Sequence, residues 1–429
     1  MNDKTQSSAA AALQQPSPEA QAAYDTRWKR ILDCVALKQP DRMPIAFFST
    51  FWLAKYGGVT IKECMYNYDK LIELIERACL EFEPDLMATA FPTGIGRLLE
   101  ATDFKQLQWA GHGVGDNQPY QYIDREYMTA EEYDEFLFDP TGFYLSKYLP
   151  RVAGVYDGVQ PLARLPTSLY VGFSMATAMF ARPPLEQALG KLSQAGRTAL
   201  EFMAVENGLI HRLKCLGFPS GTGGFSSAPY DVVADTMRGA TGMMKDLFRH
   251  KDKLPAVFEK IKKLQLRSTI PLAKSSRNPL VFIPIHWGPD AFMSQKQFEE
   301  FWWPSMRELM IELIDANLIP MVMWEADCTK RLETIKDIPA GKCIYWFERT
   351  DMVKAFQVLG DVVALRGNLS PSLMTTGTPE EVDAAVKHLV DNVWNKGGNL
   401  ILDTAFGIPD EAPLENVRAM FRAAKKYGG

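Results

Sequence analysis

Residues 280–324 have the sequence LVFIPIHWGPDAFMSQKQFEEFWWPSMRELMIELIDANLIPMVMW, and this stretch decides the fold class. It opens with an apolar run (280–285), continues with a segment of helical periodicity (295–316), and closes with a second apolar run (319–324). Continuous apolar strands separated by amphipathic helices are typical of a parallel sheet covered on both faces. The stretch therefore predicts a β–α–β unit of an α/β protein.

The same alternation continues on both sides of this unit. Further apolar runs lie downstream at 343–347, 362–365 and 399–402, with helical segments at 330–336, 352–359, 379–395 and 413–426. Three looser strand candidates lie upstream, at 43–48, 86–91 and 169–173. Eight such units predict a (β/α)8 TIM barrel with insertions in its N-terminal half, at 98–165 and 184–275. The alternative is an open doubly wound sheet, but the glycine-rich turn that usually follows its first strand is missing.

Composition and charge limit the possible partners. The chain has 429 residues, is 47% hydrophobic, and carries a net charge of −5 with scattered basic residues, which argues against nucleic acid and anionic membranes. No apolar run reaches membrane-spanning length, and the six cysteines form no CxxC pair, so we expect free thiols in the cytoplasm. Residues 1–25 are polar and interrupted by prolines, which predicts a flexible tail before one domain at 26–429.

In a barrel of parallel strands, the catalytic residues lie just beyond the C-terminal ends of the strands. The positions after the five downstream strands carry His286, Trp287 and Asp290, then Glu325 and Asp327, then Glu348 and Arg349, then Arg366, and finally Asp403. His286, Glu325, Asp327 and Asp403 could converge, either to bind zinc or to form a general acid–base pair. Alternatively, a carboxylate at a strand end caps the next helix, and Asp327 fits that role.

Aromatic side chains are dense near the same strand ends, among them Phe48, Trp287, Trp324 and Trp346. Most of them are expected to pack in the core. Those beside the site predict a pocket for a flat, apolar ligand.

Several segments carry a family resemblance. They are 41–45 (DRMPI), 229–254 (PYDVVADTMRGATGMMKDLFRHKDKL), 292–306 (FMSQKQFEEFWWPSM), 358–382 (VLGDVVALRGNLSPSLMTTGTPEEV) and 397–420 (GGNLILDTAFGIPDEAPLENVRAM). In them the chain resembles the uroporphyrinogen decarboxylase superfamily, which includes the decarboxylase and zinc-dependent corrinoid methyltransferases. The resemblance spans most of the chain after residue 26.

The chain lacks the sequence signatures of two branches of the superfamily. The decarboxylase has an arginine-rich loop resembling RQAGRY after its first strand, whereas residues 47–58 (FFSTFWLAKYGG) contain no arginine for a substrate with eight carboxylates. Methyltransferases that act on thiols have His-x-Cys after the fifth strand and a cysteine in a PGCGIP-like turn. Here those places hold EAD (325–327) and TAFGIP (404–409), so both sulfur ligands are replaced.

The segment EADCTKRLETIKDIPAGK (325–342) resembles the aromatic O-demethylase methyltransferases of this superfamily. The resemblance implies transfer of a methyl group from a methoxylated aromatic to the cobalt of a corrinoid (cobalamin) on a separate partner protein. It also implies a homodimer and a zinc ion with oxygen ligands, for which the candidates are Glu325 and Asp327, with Asp403 as the third ligand.

The resulting hypothesis gives each candidate a role. Glu325 and Asp327, together with His286, polarise the ether oxygen of the substrate. Arg97 or Arg366 orients a carboxylate or hydroxyl on the ring, and Trp287, Asp290 and Trp324 complete the substrate site.

Two other functions stay open. One is a lyase related to the decarboxylase that acts on a carboxylated aromatic or tetrapyrrole through its strand-end carboxylates. The other is a non-catalytic protein that binds a corrinoid or tetrapyrrole. Bound zinc would favour methyl transfer over the lyase.

Overall fold

The computed structural model describes residues 15–164 and 170–429. The strands are β1 (Ala46–Phe47), β2 (Leu86–Met87), β3 (Leu107–Ala110), β4 (Gly113–Val114), β5 (Gln121–Tyr122), β6 (Gly224–Phe225), β7 (Leu280–Ile285), β8 (Ile319–Trp324), β9 (Ile344–Phe347), β10 (Ala364–Leu369) and β11 (Leu400–Thr404). The strands β3 to β5 form a small separate sheet, and the others belong to the central barrel.

Helices follow most barrel strands, and further helices precede the barrel or lie in its insertions. They are α1 (Pro18–Val35), α2 (Trp52–Gly57), α3 (Ile61–Tyr66), α4 (Tyr68–Phe82), α5 (Gly96–Thr102), α6 (Tyr133–Phe138), α7 (Pro140–Phe143), α8 (Leu149–Val152), α9 (Val171–Ala176), α10 (Pro183–Cys215), α11 (Pro229–Asp231), α12 (Gly239–Arg249), α13 (Leu254–Ser276), α14 (Gln295–Gln297), α15 (Trp303–Asp315), α16 (Leu332–Ile335), α17 (Met352–Leu359), α18 (Pro371–Thr376), α19 (Pro379–Asn392) and α20 (Leu414–Tyr427). A π-helical turn, Val232–Arg238, joins α11 to α12.

Among the described residues, eight parallel strands form a closed ring. Six of them pair continuously in the order β6 to β11, and β1 pairs with β2. Single parallel bridges join the two groups on both sides, Met87 to Ser220 before β6 and Ile45 to Leu402 in β11. The predicted TIM barrel is confirmed, and β7 and β8 have the boundaries that their apolar runs predicted.

The third barrel strand was predicted in the wrong place. Residue 169 lies outside the described residues, and Val171–Ala176 form the helix α9 with exposed Val171 and Phe173. The third strand is β6, within the predicted second insertion. Its glycine-rich sequence has no apolar run, because Gly224 packs against Ala273 of α13 where a Cβ atom would come within 2.9 Å. A short apolar run such as 169–173 does not by itself distinguish a strand from a helix.

The N-terminal boundary also differs from the expectation. The helix α1 begins at Pro18, and the hydroxyl of Ser17 accepts a hydrogen bond from the Ala20 N–H. Residues 18–25 are therefore helical rather than part of a tail, and residues 1–14 lie outside the described part. In residues 15–164 and 170–429, no helix combines the length and apolarity that crossing a membrane requires.

The barrel interior contains a buried ion pair. Arg366 on β10 donates two hydrogen bonds to Asp403 on β11, at 2.9 and 2.6 Å, and its guanidinium lies 3.8 Å from the ring centroid of Trp346. Burial raises the pKa of Asp403 to about 6, against the opposing charge of Arg366. Both partners are almost fully buried, so each depends on the other to satisfy its charge.

Substituting Arg366→Met leaves Asp403 buried without a counter-charge, so we expect it to lower the free energy of unfolding by about 3–5 kcal/mol. The urea midpoint measures this loss. The control is Lys387→Met, which breaks a surface pair with Asp391 that we expect to contribute less than about 1 kcal/mol. Equal midpoint shifts in the two variants would contradict the stabilising role of the buried pair.

Candidate active site

The strand register brings three polar residues to one level of the barrel. Ile285 of β7 pairs with Trp324 of β8, and Trp324 pairs with Phe347 of β9. The next residues, His286, Glu325 and Glu348, therefore lie side by side at the C-terminal strand ends, and we call them the polar rung. Adjacent strands are about 4.8 Å apart, which is close enough for these side chains to interact.

The alternation of β7 explains why His286 faces the barrel mouth. Val281, Ile283 and Ile285 are fully buried against the helices, whereas Phe282 and Pro284 are partly exposed on the opposite face. Because side chains alternate along a strand, His286 continues the interior face. Its side chain is 46% exposed.

Asp235 holds His286 from the π-helical turn after β6. One Asp235 oxygen lies 2.6 Å from His286 Nδ1, and the other accepts a hydrogen bond of 2.6 Å from the indole N–H of Trp287. Burial lowers the pKa of His286. The hydrogen bond to Asp235 and the charges of Glu325, Asp235 and Asp231 outweigh this effect and raise the pKa to about 9. At neutral pH the imidazole is therefore protonated, and its Nε2–H faces Glu325.

A second aspartate fixes the backbone beneath this pair. Asp231 is fully buried and accepts hydrogen bonds from the His286 N–H (2.6 Å), the Trp287 N–H (3.4 Å) and the indole N–H of Trp302 (2.7 Å). It thus links the end of β7 to the segment after β6 and to the helix layer. Burial and the charge of Asp235 raise the pKa of Asp231 to about 7.

Glu325 is the carboxyl group nearest to the imidazole. Its Oε1 lies 3.5 Å from His286 Nε2. Burial raises the pKa of Glu325, and the charges of Glu348, Asp231 and Asp235 raise it as well. The charge of His286 lowers it, and the net pKa is about 7. A substantial fraction of Glu325 is therefore protonated at neutral pH, as a general acid requires.

Glu348 shapes the loop that carries Glu325. Its carboxylate accepts a hydrogen bond from the backbone N–H of Ala326, the residue next to Glu325. Ala326 has a φ of 51°, in the left-handed region that residues other than glycine and asparagine rarely adopt. The hydrogen bond from Ala326 helps to hold this unfavourable conformation, and Glu348 thereby positions Glu325.

Aromatic rings line the interior below the polar rung. The ring centroid of Phe282 lies 5.8 Å from Phe48, 5.9 Å from Phe225 and 6.1 Å from Trp346. Phe91 meets Phe225 edge to face, and both are about 40% exposed. We call Phe48, Phe91, Phe225, Phe282 and Trp346 the aromatic wall. Such rings bind flat, apolar ligands by stacking and edge contacts.

The structure separates the other predicted site residues from the polar rung. Asp327 is exposed and accepts hydrogen bonds from the N–H and hydroxyl of Thr329, a local turn interaction just before the helical segment Thr329–Arg331, whose N-cap residue is Cys328. Asp290 accepts a hydrogen bond from the Lys330 N–H. Trp324 is buried on the outer face of β8, packed against Trp302 and Trp303.

The two arginines predicted to orient the substrate are already engaged. Arg366 is paired with Asp403 under Trp346 and is 3% exposed. Arg97 donates hydrogen bonds to Glu201 and to the Tyr66 carbonyl, and lies over the ring of Tyr68.

The predicted zinc ligands do not come together. Asp327 is bonded to Thr329, and Asp403 to Arg366, so Glu325 is the one member of the trio in the polar rung. Within residues 15–164 and 170–429, no group of three or more His, Cys, Asp and Glu side chains is arranged to hold a metal ion. The residues present therefore do not fit zinc held by Glu325, Asp327 and Asp403, and we derive no chemical step through a metal.

Sequence reasoning missed Asp231 and Asp235. The two carboxylates are four residues apart in a segment that follows β6, so they fall on one side of the turn. With a third strand at 169–173, as the apolar pattern predicts, residues 226–235 do not follow a predicted strand. The pair of acidic residues in PYDVVAD was the signal that could have identified them.

Comparisons with known proteins show the family to which the chain is similar. The uroporphyrinogen decarboxylase (URO-D) family model matches residues 210–427, which include the polar rung, Asp231 and Asp235. The uroporphyrinogen decarboxylase of Coxiella burnetii is 21% identical over 249 residues, 57% of this chain and 65% of that protein. The methylated-thiol–coenzyme M methyltransferase of Methanosarcina mazei is 28% identical over 148 residues, 34% of this chain and 38% of that protein. The chain thus spans less than two thirds of the length of these relatives.

A solved structure is similar over the whole fold. A methyltransferase from Methanosarcina mazei superposes with a TM-score of 0.61, covering 94% of this chain and 98% of that chain at 14% identity. At this level of identity, the likeness supports the barrel fold alone.

The contact between Asp235 and His286 predicts a change in titration. Asp235→Asn keeps a hydrogen-bonding oxygen but removes the charge, so we expect the pKa of His286 to fall from about 9 by about 1–2 units. Imidazole NMR resonances followed against pH measure the shift. The control is Asp327→Asn on the neighbouring loop, which should leave His286 unchanged. A His286 titration unaltered by Asp235→Asn would contradict the electrostatic role of Asp235.

Proposed function

Because the chain belongs to the uroporphyrinogen decarboxylase family, we propose that it is a methyltransferase that removes the methyl group of a methoxylated aromatic. The observation that carries the proposal is the pairing of a protonatable carboxyl, Glu325, with the imidazole of His286 directly above the aromatic wall. The acceptor we propose is the cobalt of a corrinoid on a separate protein, which supplies the electron pair of the new bond to the methyl carbon.

The chain's own residues have to deal with the ether oxygen. When the bond between that oxygen and the methyl carbon breaks, both electrons stay on the oxygen, and a proton is needed to form the phenol. Glu325 can donate this proton from its carboxyl group. His286 can donate a hydrogen bond from Nε2 to the same oxygen, since its Nδ1 is held by Asp235.

The spacing within the polar rung favours this arrangement. The distance of 3.5 Å between His286 Nε2 and Glu325 Oε1 exceeds that of a good hydrogen bond, so neither group is saturated by the other. Both donors remain able to turn toward a third atom at the barrel mouth. The aromatic wall would hold the ring of the substrate below that atom, and burial of the ring would exclude water from the ether.

Decarboxylation of a polycarboxylated substrate is the competing activity, because decarboxylases are among the sequence relatives. The charge of the site opposes this alternative. The charges of Glu325, Asp235 and Asp231 act on one imidazole, Glu348 lies beside Glu325, and residues 47–58 contain no arginine. A substrate with several carboxylates would meet like charges at the strand ends.

Replacing Glu325 with glutamine tests the proton donor. We expect Glu325→Gln to lower kcat for demethylation by about 100-fold or more, because the amide cannot supply a proton. The phenol product is quantified by chromatography, with a purified corrinoid protein as methyl acceptor. Asp327→Asn is the matched control, and it should retain activity because its side chain is bonded to Thr329. Full activity in Glu325→Gln would rule out this role for Glu325.

The pH dependence of kcat gives a second test. If the protonated form of Glu325 is the active one, activity is present at lower pH and is lost as the pH rises through about 7. The negative charge of Glu348 stabilises that protonated form, so Glu348→Gln should move the loss of activity to lower pH. A profile that stays in place, or moves to higher pH, would argue against Glu325 as the acid.

A further inference from the structure

We propose that the methyl donor is a methoxylated ring without an acidic substituent, so that neutral and cationic rings are substrates and aromatic carboxylates are disfavoured. This inference rests on the proposed function and specifies its substrate class. It follows from the carboxylates around the barrel mouth and from the ion pairs that the basic side chains there already form.

Basic side chains are scarce at the strand ends. Within the three residues that follow each of the eight barrel strands, all of them described, the basic side chains are His286 and Arg349. The same positions carry the acidic residues Glu325, Asp327 and Glu348. Asp235 and Asp231 add two more carboxyl groups from the segment after β6.

Neither basic side chain offers an uncompensated charge to the barrel interior. His286 is held between Asp235, at 2.6 Å, and Glu325, at 3.5 Å, so its positive charge is already compensated. Arg349 lies 3.4 Å from Glu348 and extends into solvent with 71% of its side chain exposed. An incoming carboxylate would lose its hydration without gaining a counter-charge.

The two arginines that sequence analysis assigned to a carboxylate or hydroxyl on the ring contact other residues. Arg366 is committed to Asp403 beneath Trp346, and moving it would leave Asp403 buried without a partner. Arg97 forms a surface ion pair with Glu201 and lies over the ring of Tyr68, and neither contact belongs to the polar rung or the aromatic wall. Of the two substituents that sequence analysis considered for these arginines, a carboxylate or a hydroxyl, these contacts favour the neutral hydroxyl.

The aromatic wall suits the opposite charge. Phe48, Phe225 and Phe282 are partly exposed, whereas Trp346 is fully buried and packs against Phe48 and Phe282; exposed ring faces attract cations and accept neutral rings. Together with the carboxylates of the polar rung, these rings would tolerate or favour a positively charged substituent. A negative one meets repulsion from the carboxylates and no compensating contact with the aromatic wall.

Three ligands with the same ring and different charges test the inference. They are 4-methoxybenzamide (neutral), 4-methoxybenzoate (anionic) and (4-methoxyphenyl)trimethylammonium (cationic). The amide matches the carboxylate in shape, so charge is the main difference between the two. Isothermal titration calorimetry on the full chain at pH 7.5 measures binding without a corrinoid protein. We expect the amide to bind about tenfold more tightly than the benzoate, and the cation at least as tightly as the amide.

Substitutions in the polar rung locate the effect. Glu348→Gln should narrow the preference for the amide over the benzoate by about threefold, because one repelling charge is removed. Asp327→Asn removes a charge from a side chain that has no contact with the polar rung and is bonded to Thr329, so it should change the preference less than Glu348→Gln does. Glu325→Gln is a second variant with the same expected direction, if Glu348→Gln does not fold.

The outcomes distinguish the two proposals. If the rings bind but the benzoate binds as tightly as the amide, the inference is overturned and methyl transfer from aromatic ethers stands. If none of the three ligands binds, the proposed function fails and this inference fails with it. A preference that persists unchanged in Glu348→Gln and Glu325→Gln would also overturn the inference, because it would not arise from the polar rung.

Discussion

The parallel register of β7, β8 and β9 is the constraint on which the candidate site depends. It sets His286, Glu325 and Glu348 one residue beyond paired positions, so the three side chains meet at one level. A shift of one residue in any of these strands would turn its rung residue outward and its outer apolar residue inward. The apolar contacts of Ile285, Trp324 and Phe347 with the helix layer therefore hold the polar rung in place as well.

Support from outside the strands makes this rung chemically useful. Asp231 accepts hydrogen bonds from the backbone N–H groups at the end of β7. Asp235 is hydrogen-bonded to the imidazole of His286, and Glu348 accepts a hydrogen bond from the turn after Glu325. Burial and like charges raise the pKa of Glu325 to about 7. The same carboxylates that keep a proton available at the mouth also exclude anionic ligands, so proton donation and substrate charge are two consequences of one arrangement.

The fold was predictable where the sequence has strong periodicity. The strands β7 and β8 are largely buried, and their continuous apolar runs predicted their boundaries. The strand β6 was not predictable in this way, because a two-residue strand with a glycine packed against α13 has no apolar run. Because β6 was not predicted, Asp231 and Asp235 were not identified as residues that follow a barrel strand.

The candidate site was predictable in part for the same reason. His286 and Glu325 follow strands that were identified correctly, and the structure brings them within 3.5 Å. Asp327 lies two residues after Glu325, so alternation alone would return it to the same face, but the left-handed backbone at Ala326 ends the strand and a local bond to Thr329 holds Asp327 elsewhere. Arg366 and Asp403 lie within strands rather than after them, and their mutual pairing could not be read from the order of residues.

The most direct test of methyl transfer follows the methyl carbon itself. The chain is mixed with a purified corrinoid protein in its reduced form and with 4-methoxybenzamide carrying a ¹³C-labelled methoxy group. The account predicts that the ¹³C signal moves from the ether to the cobalt, with one molecule of 4-hydroxybenzamide released for each methyl group transferred. A label that stays on the ring, with the ligand bound, would contradict it.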